Sequence, residues 1–301
     1  MKILITGSEG NIGTVLVPYL KQAGHVVYCI DIRQKFADDY LTADINNAAD
    51  MAHAFYEFKP NVVIHLAAMV SRITSEKSPA LTIATNLGGT SNVIQLCKGV
   101  GAKLLYFSTS EVYGNLGGLL YESDAPQPNN IYGLSKWLGE QLVTYEVRNG
   151  LDALIVRPFM FYHENETIGE HRSAMIRFAH GLATGQKITV HEHSTRSWLH
   201  LDDGVRIIEK LCDKSFFCTV NVGHDCVIHM TTLAHMMCDY LDIDFDDHVK
   251  ITPLPERMTL TKIPSLLLQN ELTGHVPVIG IEQGVKRVID RVRFNLSKQP
   301  Q

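Results

Sequence analysis

KILITGSEGNIG, residues 2–13, decides the fold. Its unbroken apolar start reads as a strand buried on both faces, and Gly7, Gly10 and Gly13 follow as G-x-x-G-x-x-G before a helix predicted over about 12–23. Glycines at that junction permit a tight turn and let the backbone approach a pyrophosphate, which the free N–H groups of the helix N-terminus stabilise. Asp31 ends the next apolar run, VVYCI (26–30), close to the offset at which a carboxylate accepts hydrogen bonds from an adenosine ribose. That carboxylate would repel a 2′-phosphate and so favours NAD over NADP, while Arg33 keeps NADP open. Asp44 and Ile45 follow after a short segment, where a carboxylate could stand beside an adenine amino group.

The same rhythm continues outward. NVVIH (61–65), KLLYF (103–107) and ALIVR (153–157) repeat the apolar, turn-bounded pattern, with helices predicted over about 48–58, 80–98 and 132–149. Strands alternating with helices imply a parallel sheet with right-handed crossovers, an α/β fold of the Rossmann-type doubly wound kind. After Pro158 the pattern loosens into a His- and Glu-rich loop and shorter elements. We read residues 1–158 as a dinucleotide-binding domain to which segments near 188–222 return. Residues 159–187 and 223–301 form a smaller, interleaved C-terminal α/β lobe, with a ligand cleft between the two.

Composition narrows the function classes. A length of 301 residues, 45% hydrophobic and 20% charged, describes a globular chain, and no apolar run approaches the length a bilayer requires. A net charge of −5 gives no electrostatic footprint for nucleic acid. The N-terminus enters the first strand at once, without a signal-peptide pattern, and the six cysteines show no C-x-x-C spacing, so a cytosolic, reduced protein is expected. No metal is expected. His191, Glu192 and His193 offer two imidazoles on one face of a strand with no third ligand identifiable.

The chemistry-bearing stretches lie further along. FSTSEVYG (107–114) puts hydroxyls and one carboxylate at a strand end. In NIYGLSKWLGEQL, Tyr132 and Lys136 are one helical turn apart, and an ammonium near a phenol lowers its pKa so that it can act as a base.

Taken with HLAA (65–68), TNLGGT (85–90), RPF (157–159), RSWLHLDD (196–203) and NVG (221–223), these motifs resemble the extended short-chain dehydrogenase/reductases of the nucleotide-sugar epimerase/dehydratase type. The resemblance implies NAD held by Gly7, Gly10, Asn11, Ile12, Gly13, Asp31, Asp44, Ile45, Leu66, Ala67, Ala68, Asn86, Ser108, Tyr132, Lys136 and Pro158. It makes Tyr132 the base at a sugar hydroxyl, usually at C4, with Lys136 tuning it and Thr109 bonding the reacting oxygen. Ser110 would meet the substrate, and Arg196 would clamp the diphosphate of a nucleoside-diphosphate sugar. A homodimer through a four-helix bundle is implied in the same way. Met160, His163 and Ser197 depart from the residues frequent in that family, which touches the substrate end and leaves the cofactor end intact.

A C4 epimerase needs no further carboxylate, whereas a 4,6-dehydratase needs a second acid/base, for which Glu111 is placed. Dehydration is therefore slightly favoured. A uronic acid decarboxylase also carries T-S-E but requires a cation for the substrate carboxylate. The sequence also admits an NADP-dependent sugar-nucleotide reductase and a non-catalytic NAD-binding sensor or scaffold.

Overall fold

The computed structural model describes residues 1–169, 172–255 and 259–298. Fourteen strands are present among them: β1 (Lys2–Thr6), β2 (Val26–Asp31), β3 (Tyr40–Thr42), β4 (Val62–His65), β5 (Lys103–Phe107), β6 (Gly118–Leu120), β7 (Ala153–Pro158), β8 (Met160–Tyr162), β9 (Ile188–His191), β10 (Thr195–His200), β11 (Thr219–Val222), β12 (Val227–His229), β13 (Val249–Thr252) and β14 (Thr261–Pro264). Seven form one parallel sheet in the order β3-β2-β1-β4-β5-β7-β11. The order reverses beside β1, so the glycine turn after β1 opens onto the switch-point crevice where such sheets bind ligands.

Burial on both faces explains the unalternated strands. Ile3 and Ile5 face the helices Gly13–Gln22 and Leu201–Cys212 through Leu16, Leu20, Ile208 and Leu211. Leu4, between them, faces the opposite layer with Phe55, Ile94 and Val143 from three other helices. Side chains alternate across a strand, so an apolar residue at every position means two covered faces.

The predicted helix at 80–98 is instead Pro79–Ile83 and Gly89–Val100 joined by a π-helical turn over Ala84–Gly88. A widened turn moves the residues beyond it around the helix axis, and such turns concentrate at functional positions.

The smaller lobe has its own core of Met175, Phe178, Val190, Trp198, Leu233, Met237, Val288 and Val292, gathered from the helices Ala174–Ala183, Met230–Leu241 and Ile281–Ser297 and the short sheets. The return drawn over residues 188–222 is shorter in the structure, beginning at the helix Leu201–Cys212, because the strands before it pair with partners in the smaller lobe. β11 joins the main sheet, β9 and β10 pair within the small sheets, and Leu272 of the helix Leu267–Thr273 packs back into the main core. No helix among the described residues is long and apolar enough to cross a membrane.

Candidate active site

A cleft of about 780 Å³ runs between the lobes along the carboxyl ends of β1, β2, β4 and β5. Its first wall is the glycine turn. Gly7 takes a φ of +76°, and a Cβ there would stand 2.6 Å from the Ala67 nitrogen, so only glycine lets the turn close against the Leu66–Ala68 strand exit. A Cβ on Gly13 would run into the Ser8 carbonyl. Asp31 stands at the lip, accepting from the Glu9 and Arg33 backbone N–H groups at 3.0 Å each. Arg33 is turned onto the Glu9 carbonyl at 2.7 Å, and Lys35 onto the Glu9 carboxylate at 2.7 Å. A backbone cradle, a helix N-terminus and a lip carboxylate together fit a dinucleotide.

Gly10, Asn11, Ile12, Asp44, Ile45, Leu66, Ala67, Ala68, Thr109, Ser110, Glu111, Tyr132 and Pro158 also line the cleft, but Asn86, Ser108, Lys136 and Arg196 do not. Asn86 lies in the π turn, where its amide bonds Met69 N at 2.7 Å, Met69 O at 3.1 Å and the Ser135 hydroxyl at 2.8 Å, tying the cleft wall to the Tyr132 helix. Ser108 donates to Glu140, which also holds Arg157 bidentately at 2.9 and 2.7 Å. That buried pair anchors β5 and β7 behind the cleft.

Tyr132 is mounted by local chemistry. Asn130 caps the helix Ile131–Arg148 by accepting from Gly133 N at 2.8 Å, and its side-chain N–H donates to Glu111 at 3.0 Å. A Cβ on Gly133 would meet the Glu111 carbonyl at 2.7 Å, so glycine lets the helix seat on the 3₁₀ turn Ser110–Tyr113. The sequence signal for this start is Asn130 itself, an N-cap type of residue directly before the helix.

The expected lowering of the Tyr132 pKa is not displayed. Burial first, with the charge of Glu111, pushes the phenol up to about 12 against a hydrogen bond with Thr109. Lys136 stands 4.3 Å from the Tyr106 ring centroid, and burial lowers its ammonium to about 7 against the pull of Glu140. Lys136 thus sits behind the wall, held by an aromatic face rather than by the phenol.

The substrate end holds what sequence reasoning did not find. Glu111 accepts from Lys262 Nζ at 2.7 Å and lies 3.7 Å from Arg72 Nε. Burial would raise its carboxyl, but Lys262 and Arg72 hold it at about 2. Arg196, paired with Lys262 across β10 and β14, gives its guanidinium to the carbonyls of Thr195, Leu260 and Thr259 at 2.7, 3.2 and 2.9 Å. Burial lowers both Arg196 and Lys262 from their usual ranges, opposed in each by Glu111. Two cations thus hold one carboxylate next to Thr109 and Tyr132, with a third, Arg196, beside Lys262 in the next strand. Nothing in the run TKIP marks Lys262 as buried, and no local pattern joins it to Glu111.

Two histidine groups bear on metal binding. β9 ends at His191, and His193 follows in a turn with φ of +55°, so the pair do not share a strand face as expected. His163, His200 and Asp202 bring ligand atoms within 4.8 Å of one another. Yet both rings accept backbone N–H groups at Nδ1, from Asn165 and Asp202, each at 3.1 Å. That fixes the Nε2–H tautomer, and the rings turn donors to Asp202 and Glu164 at 3.3 and 2.8 Å instead of lone pairs to a metal.

The model of the NAD dependent epimerase/dehydratase family matches residues 3–223. UDP-glucuronic acid decarboxylase 6 of Arabidopsis thaliana is 27% identical over 98% of this chain and 90% of its own. Two solved structures share the fold: the UDP-glucose 4-epimerase of Thermotoga maritima (TM-score 0.91, 22% identity, 98% of this chain and 100% of that one) and the dTDP-glucose 4,6-dehydratase DesIV of Streptomyces venezuelae (TM-score 0.86, 22% identity, 99% and 98%).

Proposed function

The chain belongs to the NAD dependent epimerase/dehydratase family, and from that premise we propose that it oxidises C4 of a sugar carried on a nucleoside diphosphate, acts on the 4-keto sugar and reduces it again. The observation that carries the reading is the Tyr132–Thr109 hydroxyl pair, set on the floor of a cleft whose opposite wall is the glycine turn and Asp31. NAD, held by Gly7, Gly10, Asn11, Ile12, Gly13 and Asp31, supplies the hydride acceptor and donor. Tyr132 takes the proton of the C4 hydroxyl, and Thr109 holds the same oxygen. A phenol at about 12 keeps its own proton at neutral pH, so a positive charge must reach it. Lys136, one helical turn away, supplies it once its ammonium leaves the Tyr106 ring and turns toward the phenol.

The charges around Glu111 favour a particular second step. A carboxylate bound to Lys262 and Arg72 at about 2 has no proton to give a leaving hydroxyl and is a weak base for the C5 proton. Arg72, which lines the cleft at the Glu111 end with Lys262 buried behind that carboxylate, suits a substrate carboxylate instead. Oxidation at C4 turns a nucleotide-linked uronic acid into a β-keto acid. That acid releases CO2, takes a proton at C5 and is reduced at C4 to a pentose. The full-length similarity to UDP-glucuronic acid decarboxylase 6 agrees and suggests UDP as the carrier. Incubation with UDP-glucuronic acid and NAD, read by mass spectrometry, should show loss of CO2 without net NADH. Turnover of UDP-glucose or dTDP-glucose alone would instead assign epimerisation or dehydration.

We further infer a homodimer in which the helices Gly89–Val100 and Ile131–Arg148 pair with their copies, supported by exposed Leu81 and Tyr145 on this layer. Six unpaired cysteines support a reducing, cytoplasmic setting.

A further inference from the structure

We propose that Arg172, carried by the smaller lobe, supplies the positive charge that holds the cofactor's pyrophosphate against the glycine turn, an assignment that rests on the NAD reading above. Arg172 lines the cleft, and its Nη1 donates to the Asn11 side-chain oxygen at 3.2 Å. Asn11 lies between Gly10 and Gly13, where a dinucleotide's phosphates meet the first helix.

The charge balance of the turn calls for such a group. A pyrophosphate brings two negative charges, and a helix N-terminus answers with about half of one. The turn itself adds a carboxylate, Glu9, and no cation. Arg33 and Lys35, the basic side chains just past Asp31, are both engaged by Glu9, and Lys2 and Lys21, nearer in sequence, are turned to the Phe58 carbonyl and the Asp39 carboxylate. Arg72, also on the cleft wall, lies at the Glu111 end. Arg172 is the remaining arginine lining the cleft among the described residues.

Its mounting keeps it available. Glu166, the nearest described carboxylate in sequence, accepts from the Ser173 backbone N–H at 3.0 Å and hydroxyl at 2.6 Å. Ser173 in turn caps the helix Ala174–Ala183, and the Arg172 N–H is anchored on the Gly169 carbonyl at 3.2 Å. The contact to Asn11 is a hydrogen bond to a neutral amide, which a phosphate oxygen can replace or share at little cost. A guanidinium fork matches two phosphate oxygens, so lysine would serve less well. Because Arg172 belongs to the smaller lobe, the contact also joins the two lobes across the bound cofactor.

The test measures binding, not turnover. NAD and ADP-ribose affinities are determined by calorimetry for wild type, Arg172→Ala and Arg172→Lys, with thermal melting to confirm folding. UDP affinity is measured in parallel at saturating NAD. Arg172→Ala should weaken NAD and ADP-ribose equally, by about tenfold or more, and leave UDP unchanged, with Arg172→Lys between. Unchanged NAD affinity in a folded Arg172→Ala protein would overturn the proposal. So would a loss confined to UDP, which assigns the arginine to the substrate's diphosphate. A wild type that binds no NAD would bring down the cofactor reading itself.

Discussion

The two ends of the cleft are built by different means. At the cofactor end, backbone does most of the work: Gly7 and Gly13 clear space, and Asp31 is held by one N–H of the glycine turn, from Glu9, and one of its own loop, from Arg33. At the substrate end, side chains from distant elements converge: Arg72, Asn130 and Lys262 meet Glu111, with Arg196 beside Lys262 across the strands. A backbone cradle tolerates change everywhere except at its glycines. A buried charge cluster depends on every member, because each ion removed from water relies on the others.

The largest effect expected falls where the two ends meet. Tyr132→Phe removes the proton acceptor but keeps the ring, and should lower kcat by about 10³-fold or more with NAD affinity unchanged. A Tyr132→Phe protein that turns over at near wild-type rate in a substrate assay would break the proposed chemistry.

Lys262→Met tests the cluster. Removing one partner of a buried ion pair costs about 3–5 kcal/mol, measurable by urea unfolding at pH 7, and NAD binding should survive in the folded fraction. The pH dependence sharpens the point. The Glu111 carboxyl is depressed from 4.5 to about 2, so it contributes stability above about pH 4.5 that is lost as pH falls through 2, on the order of 3 kcal/mol in all. In Lys262→Met that acid-side slope should flatten. Equal slopes in the two proteins would mean that Lys262 does not hold Glu111 ionised.

These differences explain what could be read in advance. The parallel sheet and the cofactor wall were legible because their signals are local: apolar runs, glycines at fixed spacing and a carboxylate at the next strand end. The Thr109, Glu111 and Tyr132 group was legible through motifs. Lys262 was not, because a lysine between Thr261 and Ile263 in a short strand carries no sign of burial. The pairing of Arg196 with Lys262 depends on the register of β10 with β14, which no sequence pattern near either strand reveals. The π turn at Ala84–Gly88 and the resting place of Lys136 over Tyr106 are likewise outcomes of tertiary packing.

Gly7→Ala probes the cofactor end alone. The residue would have to keep a φ of +76°, at about 1–2 kcal/mol, with its Cβ 2.6 Å from the Ala67 nitrogen. NAD affinity should fall sharply and Tm drop by a few degrees, while the acid-side slope from Glu111 persists. Loss of that slope as well would show that the two ends are not separately built.

Asn130 gives the smallest and most discriminating effect, because one side chain serves both ends of a single helix contact. Its oxygen caps Gly133 N and its N–H donates to Glu111. Asn130→Ala loses both and should cost about 1 kcal/mol or somewhat more in urea unfolding. Asn130→Asp keeps the cap and adds a charge that a helix N-terminus favours, yet places a second carboxylate against Glu111. If the cap dominates, Asn130→Asp is as stable as wild type at pH 7. If the contact to Glu111 dominates, it is less stable at pH 7 and recovers relative to wild type toward pH 4, as the new carboxyl takes up a proton. Helix capping and charge arrangement would then be coupled through one amide, and Tyr132, two residues on, would inherit its position from that coupling.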